Sequence, residues 1–130
     1  DLGYNYRLPN LNAALGCAQI DRLQDILASK SEVARHYEAF FAPLPESFIT
    51  AREKTTANYW LNSVCLDSRE ERDALLAYTN ERGVMTRPVW RLMSELPMYQ
   101  HCLHDGLKNS RWLVERIVNL PSSVPPGALG

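Results

Sequence analysis

Long apolar runs are absent from this 130-residue chain, and no stretch reaches the roughly 18 residues that a membrane-spanning helix requires. No secretory leader is visible at the start. Cysteine is scarce and odd in number: Cys17, Cys65 and Cys102, with no C-x-x-C pair. That argues against a disulfide framework and for a reducing, cytoplasmic setting. Polybasic runs are missing as well. With 14 Lys and Arg against 15 Asp and Glu, the net charge is -1, so no long-range field draws the chain to nucleic acid or to an anionic membrane. The glycines form neither a phosphate loop nor G-x-G-x-x-G, and H-E-x-x-H and G-x-S-x-G are also missing. His101, Cys102 and His104 make one metal-like grouping, but no partner cluster supplies the four ligands of a structural zinc site. A polar loop is expected there, and no metal. Lysine is confined to Lys30, Lys54 and Lys108. A Schiff-base lysine needs a desolvated setting. Lys30 and Lys108 read as solvated helical positions and Lys54 sits in a polar run, so none qualifies.

What is present fits one soluble domain: 45% hydrophobic and 22% charged residues are ordinary for a globular chain of this length. Residues 1–9 read as extended. Asn10 is placed as the cap of a helix carrying Leu11, Ala14, Leu15, Ala18 and Arg22 on one face. Its many small residues suit close approach to another backbone. Ser29 or Ser31 is expected to restart a second helix, which Pro43 and Pro45 end. Strands are expected at 47–50 and 57–66. Ser68 with Glu71 makes a capping box for a third helix, which Gly83 stops. Val84–Trp90 reads as a strand ending or edged at Pro88. Loop with a little helix follows over 91–106, then a last helix from Leu107 to Val118. The order predicts an α+β domain with a small, mostly antiparallel sheet and helices on one face.

Two clusters have binding chemistry. Asn5 and Arg7, in Gly3-Tyr4-Asn5-Tyr6-Arg7-Leu8-Pro9, can donate to a phosphate or a sugar hydroxyl. They can equally tie down a turn before the helix. Arg87 and Trp90, in Met85-Thr86-Arg87-Pro88-Val89-Trp90-Arg91, join guanidinium groups to an aromatic, which suits an anionic, hydroxyl-rich ligand. An edge strand with a solvated face explains them as well.

The run from Gly3 through Gly16, continuing into Ala18-Gln19-Ile20, closely resembles a signature of the DegT/DnrJ/EryC1/StrS sugar aminotransferases. Further pieces resemble that family in order: Asn58-Tyr59-Trp60-Leu61, Gly83 to Trp90, Leu96-Pro97-Met98-Tyr99 and Leu120-Pro121-Ser122-Ser123. The T-R-P-x-W and L-P-M-Y pieces look most like the branch making legionaminic-acid-type and related 4-amino sugars. The resemblance implies the aspartate-aminotransferase fold (fold type I), of which residues 1–130 would be the C-terminal small domain with its leading interface helix. It implies a parent transferase that uses pyridoxal phosphate (PLP), with glutamate as amino donor. The substrate would be a nucleotide-linked 4-keto-6-deoxy sugar, for surface-polysaccharide synthesis. In the implied homodimer, Asn5 would bind the PLP phosphate of the partner subunit, with Arg7 beside it. Arg87 and Trp90 would line the nucleotide-sugar pocket. No residue here matches the family's catalytic lysine, so the PLP domain would lie upstream, and the chain alone would be inactive and would not hold PLP. The alternative is a stand-alone, non-catalytic domain used for binding or self-association.

Overall fold

A computed structural model describes residues 6–127. Helix α1 runs Asn10–Asp21. Asn10 is its first residue and not its cap. The cap is Pro9, already at φ -60°, whose carbonyl accepts from Ala13 N at 3.0 Å, and no side chain caps this end. One non-helical residue, Arg22, separates α1 from α2 (Leu23–Phe41). The restart expected at Ser29 or Ser31 therefore does not occur. Both serines lie within an unbroken stripe of buried and half-buried positions that includes Ile26, Lys30, Ala34, Tyr37 and Phe41. Burial of that stripe outweighs serine's local preference for caps. The helix does stop ahead of Pro43, whose missing N–H cannot continue it.

Four strands form one sheet: β1 (Ser47–Phe48), β2 (Asn62–Cys65), β3 (Arg87–Pro88) and β4 (Ile117–Leu120). Their spatial order is β1-β2-β4-β3 and every pairing is antiparallel. The expected α+β class and small antiparallel sheet are thus observed. Val64 and Val118 face each other across the two central strands and are fully buried. With Leu66 and Leu120 they make the core. Tyr37 and Phe41 of α2 pack on it, as do Phe48 and, from α3 (Arg69–Glu81), Leu75 and Leu76. Both helices therefore cover one face of the sheet. Burying each valine contributes about 1.5–3 kcal/mol relative to exposure.

Helix α3 begins and ends as its sequence dictates. Ser68 Oγ accepts from Glu71 N at 3.1 Å, and the Glu71 carboxylate reaches back to Asp67 N at 3.1 Å. At the other end Gly83 adopts φ +76°, with Gly83 N bonded to Asn80 O at 3.0 Å and Val84 N to Thr79 O at 2.9 Å. That is the paired closure of a Schellman motif, which needs a left-handed residue at this point.

The expected strands are shorter in the structure. Residues 57–61 leave the ladder because Tyr59 takes φ +49° and Asn58 Oδ1 accepts from Trp60 N at 3.0 Å, closing a tight turn. Only Arg87–Pro88 of the expected 84–90 strand pairs, on the edge of the sheet as Pro88 suggests. The last helix, α4, covers only Lys108–Val114. Ile117 and Val118 are not helical. They open β4, and their pairing with Cys65 and Val64 places them at the centre of the sheet. Two short 3-10 turns, Met93–Glu95 and Pro97–Tyr99, interrupt the long loop before α4.

Candidate functional site

Thr86 is buried and knotted to the end of α3. Its hydroxyl lies 2.6 Å from that of Thr79, and Asn80 Nδ2 donates to both its carbonyl and its hydroxyl at 3.1 Å. A buried threonine so satisfied fixes the backbone at the next residue. That residue is Arg87, paired with Asn119 across β3 and β4. The side chains beyond this register open onto a cleft of ≈ 660 Å³.

Arg87 and Trp90 both line this cleft, so the structure brings that predicted pair together. Trp60 joins them from the turn before β2. Its ring stacks on Trp90 with centroids 5.9 Å apart and planes inclined by 29°. The two indoles are 65% and 66% exposed, unusual for such large apolar groups with a whole core available. Met85, Leu120 and Pro121 add apolar wall, and Asn119, Ser122 and Ser123 add polar atoms. Among the described residues lining the cleft, Arg87 carries the one formal charge. Its nearest recorded partner is the weak acceptor Met85 Sδ, at 3.5 Å. A guanidinium with no carboxylate beside it, next to stacked aromatic faces, can take an anionic group and a planar ring together.

Trp60 and Asn119 were not singled out from sequence as site residues. The available signal for the first is its place in the family-like piece Asn58-Tyr59-Trp60-Leu61. Asn119 has none, because the expected last helix takes in Ile117 and Val118 and leaves no strand to carry it. A shallower hollow of ≈ 570 Å³ adjoins the cleft, sharing Trp60 and Leu61 and lined by Thr50, Asn58 and Tyr59.

The other expectations fare differently. Asn5 lies outside the described residues. Arg7 is exposed ahead of α1 and does not line the cleft. Lys30 is not the solvated helical residue expected. It is half-buried, and its Nζ donates to Tyr59 O at 3.3 Å and to Ser122 O. Lys54 and Lys108 are exposed. The Lys30 ammonium is taken up by two backbone carbonyls and the other two lysines face solvent, and no step through PLP is derived for them. His104 closes a turn, its Nδ1 accepting from Gly106 N at 3.0 Å. Among the described residues no group of three His, Cys, Asp or Glu is placed to hold a metal ion. No described helix is long and apolar enough to cross a membrane.

Comparison with known proteins gives these features a context. The DegT/DnrJ/EryC1/StrS aminotransferase family matches over residues 1–125. A GDP-perosamine synthase of Vibrio cholerae is 36% identical over 126 residues, covering 93% of this chain and 34% of that protein. A GDP-perosamine synthase of Escherichia coli O157:H7 is 31% identical over 123 residues, covering 93% and 33%. The chain thus spans about a third of the length of the curated relatives it matches. Among solved structures, Helicobacter pylori PseC, an aminotransferase involved in the biosynthesis of pseudoaminic acid, superimposes with a TM-score of 0.81. That match is 19% identical and covers 95% of this chain and 34% of PseC, so it establishes a shared fold.

Proposed function

We propose, from the premise that this chain belongs to the DegT/DnrJ/EryC1/StrS aminotransferase family, that it is the C-terminal part of a PLP-dependent sugar aminotransferase. Its substrate is a nucleotide-linked 4-keto-6-deoxy sugar, aminated for surface-polysaccharide synthesis with glutamate as donor. Residues 1–130 form the small domain with its leading helix, and the catalytic lysine and PLP belong to the rest of the protein. PLP supplies the electron sink for the amino transfer. This chain contributes no covalent catalyst. It contributes a wall of the nucleotide-sugar pocket. The protein works as a cytoplasmic homodimer, with Asn5 donating to the PLP phosphate of the partner subunit and Arg7 steadying that contact.

The observation that carries this reading is the cleft that Arg87, with no carboxylate neighbour among the described residues, lines together with the Trp60–Trp90 stack. The guanidinium would take the diphosphate and the indole faces the base or the sugar ring. The names of the GDP-perosamine synthases describe a nucleotide-linked amino sugar, which agrees in class. The stand-alone, non-catalytic alternative finds no support in these matches.

The test uses the full-length protein. Arg87→Met should raise KM for the nucleotide sugar about 10–100-fold, since a hydrogen bond to a charged group is worth roughly 1.5–3 kcal/mol. The half-reaction with glutamate should be unchanged. If Arg87→Met and Trp90→Ala both leave KM for the sugar where it was, the cleft is not the substrate site.

A further inference from the structure

β4 ends at Leu120, and the backbone that follows has no ladder to satisfy its carbonyls. Three successive carbonyls at this end accept from side chains, two of them on the buried residues Leu120 and Ser122. Ser122 Oγ donates to Leu120 O at 2.8 Å, Tyr37 Oη donates to Pro121 O at 3.0 Å, and Lys30 Nζ donates to Ser122 O. Ser122 Oγ also accepts from Asn62 N at 2.7 Å, which ties the segment to the first residue of β2. Lys30 and Tyr37 are seven residues apart and share one face of α2. Between them on that stripe sits Ala34, 3% exposed, small enough to let backbone come close.

Lys30 does one thing more. The same ammonium donates to Tyr59 O, in the turn that presents Trp60. Tyr59 has φ +49°, a conformation that residues with a Cβ rarely adopt. Such a conformation persists where its surroundings fix it. The fixing contacts here are the Asn58 Oδ1 bond to Trp60 N on one side and Lys30 on the other.

We propose that Lys30 is a positioning residue, whose single ammonium locks the Tyr59 turn to the Ser122 segment and so holds Trp60 against Trp90 at the mouth of the cleft. The compact group with three rotatable donors suits two carbonyls on separate segments, a task a fixed planar fork meets less readily. The role for the indole pair in substrate binding rests on the function proposed above. The positioning itself does not.

The experiment reads the indole pair directly. Two stacked tryptophans give an exciton couplet in far-ultraviolet circular dichroism, assigned here by its loss in Trp60→Phe. Lys30→Met keeps the aliphatic stem and removes the donors. It should lose most of the couplet while the helical signal and a cooperative thermal transition are kept. Lys30→Arg should recover part of it. An unchanged couplet in folded Lys30→Met overturns the proposal. If Lys30→Met does not fold, Lys30→Gln, which keeps an N–H donor, decides. A couplet that falls only in proportion to the helical signal in both variants makes Lys30 a purely structural contact, and the proposal is again overturned. In the full-length protein, a lost couplet should come with a raised KM for the nucleotide sugar. A lost couplet with unchanged KM would leave the positioning intact and remove the substrate role of the cleft instead.

Discussion

Helices α1 and α2 are neighbours in sequence, separated by Arg22 alone, yet different physics orders them. α2 has one buried face: Ala34 lies within it, and Tyr37 and Phe41 reach the Val64–Val118 core. α1 has no buried residue. Leu11, Leu15 and Ile20 stand 80%, 63% and 68% exposed. Alanine and leucine are strong helix formers, so backbone propensity and its own hydrogen bonds hold α1. Isolated helices of its length are marginal in water, and most helical stability in proteins comes from packing. The difference teaches that a regular helix in this chain is not by itself a sign of a core. Within the described residues α1's apolar side chains gain little burial, which fits the proposed role of meeting the rest of a larger protein.

The sharpest way to break that contrast is to cut one side chain from each region. Val118→Ala removes two methyl groups from a fully buried site on β4, in the core that α2 and α3 cover, and should cost about 2–3 kcal/mol. In the 130-residue chain, Leu15→Ala in α1 removes more carbon but should stay within about 0.5 kcal/mol, because most of that side chain already faces water. Urea unfolding followed by circular dichroism measures both. A Leu15→Ala penalty as large as that of Val118→Ala would mean α1 is packed in solution, and the comparison would fail.

The same contrast explains what could be read from sequence. The ends of α3 were legible because Ser68, Glu71 and Gly83 act locally, each through a hydrogen bond or a dihedral preference within a few residues. Arg87 and Trp90 were legible as a candidate pair because they are close in sequence, Arg87 on the short edge strand and Trp90 two residues beyond its end. β4 was not. Ile117-Val118-Asn119-Leu120 is buried on both faces, so it shows no alternation, and no Gly or Pro separates it from α4. A short apolar run of that kind has no period that distinguishes strand from helix. Tyr59 and Lys30 were illegible for a related reason. A left-handed tyrosine has no sequence signature, and the lysine that holds it comes from 29 residues away. The site was visible where its residues are neighbours, and hidden where the fold assembles it.

A medium-sized effect sharpens the local side of this account. Ser68→Ala removes the acceptor for Glu71 N and should lower stability by about 1 kcal/mol. The sheet register should be unchanged, because the bond is confined to the first turn of α3. Ser68→Asp should restore most of the loss, adding a favourable charge at the helix N-terminus. Denaturant midpoints for the three proteins decide it. No loss in Ser68→Ala would mean that the first turn is held by packing and not by its cap.

The smallest perturbation compares the two regions without altering the fold, using their own thiols. Cys17 is exposed on α1, whereas Cys65 is half-buried in β2 with its Sγ 3.7 Å from Leu66 O. Burial pushes the Cys65 thiol up from its ordinary value, Arg116 draws it part of the way back, and Asp67 adds to the rise. The thiolate is the reactive form. Near neutral pH, Cys65 therefore has fewer thiolates than an ordinary cysteine, and its access is poorer. With a small alkylating reagent and peptide mapping, Cys17 should be modified well before Cys65. Raising the pH should narrow the gap only as it passes the elevated Cys65 value, because access stays limited, and urea should close it by opening the sheet. Equal rates in native buffer would show that β2 opens as freely as α1, which the buried Val64–Val118 pair at the centre of the sheet argues against.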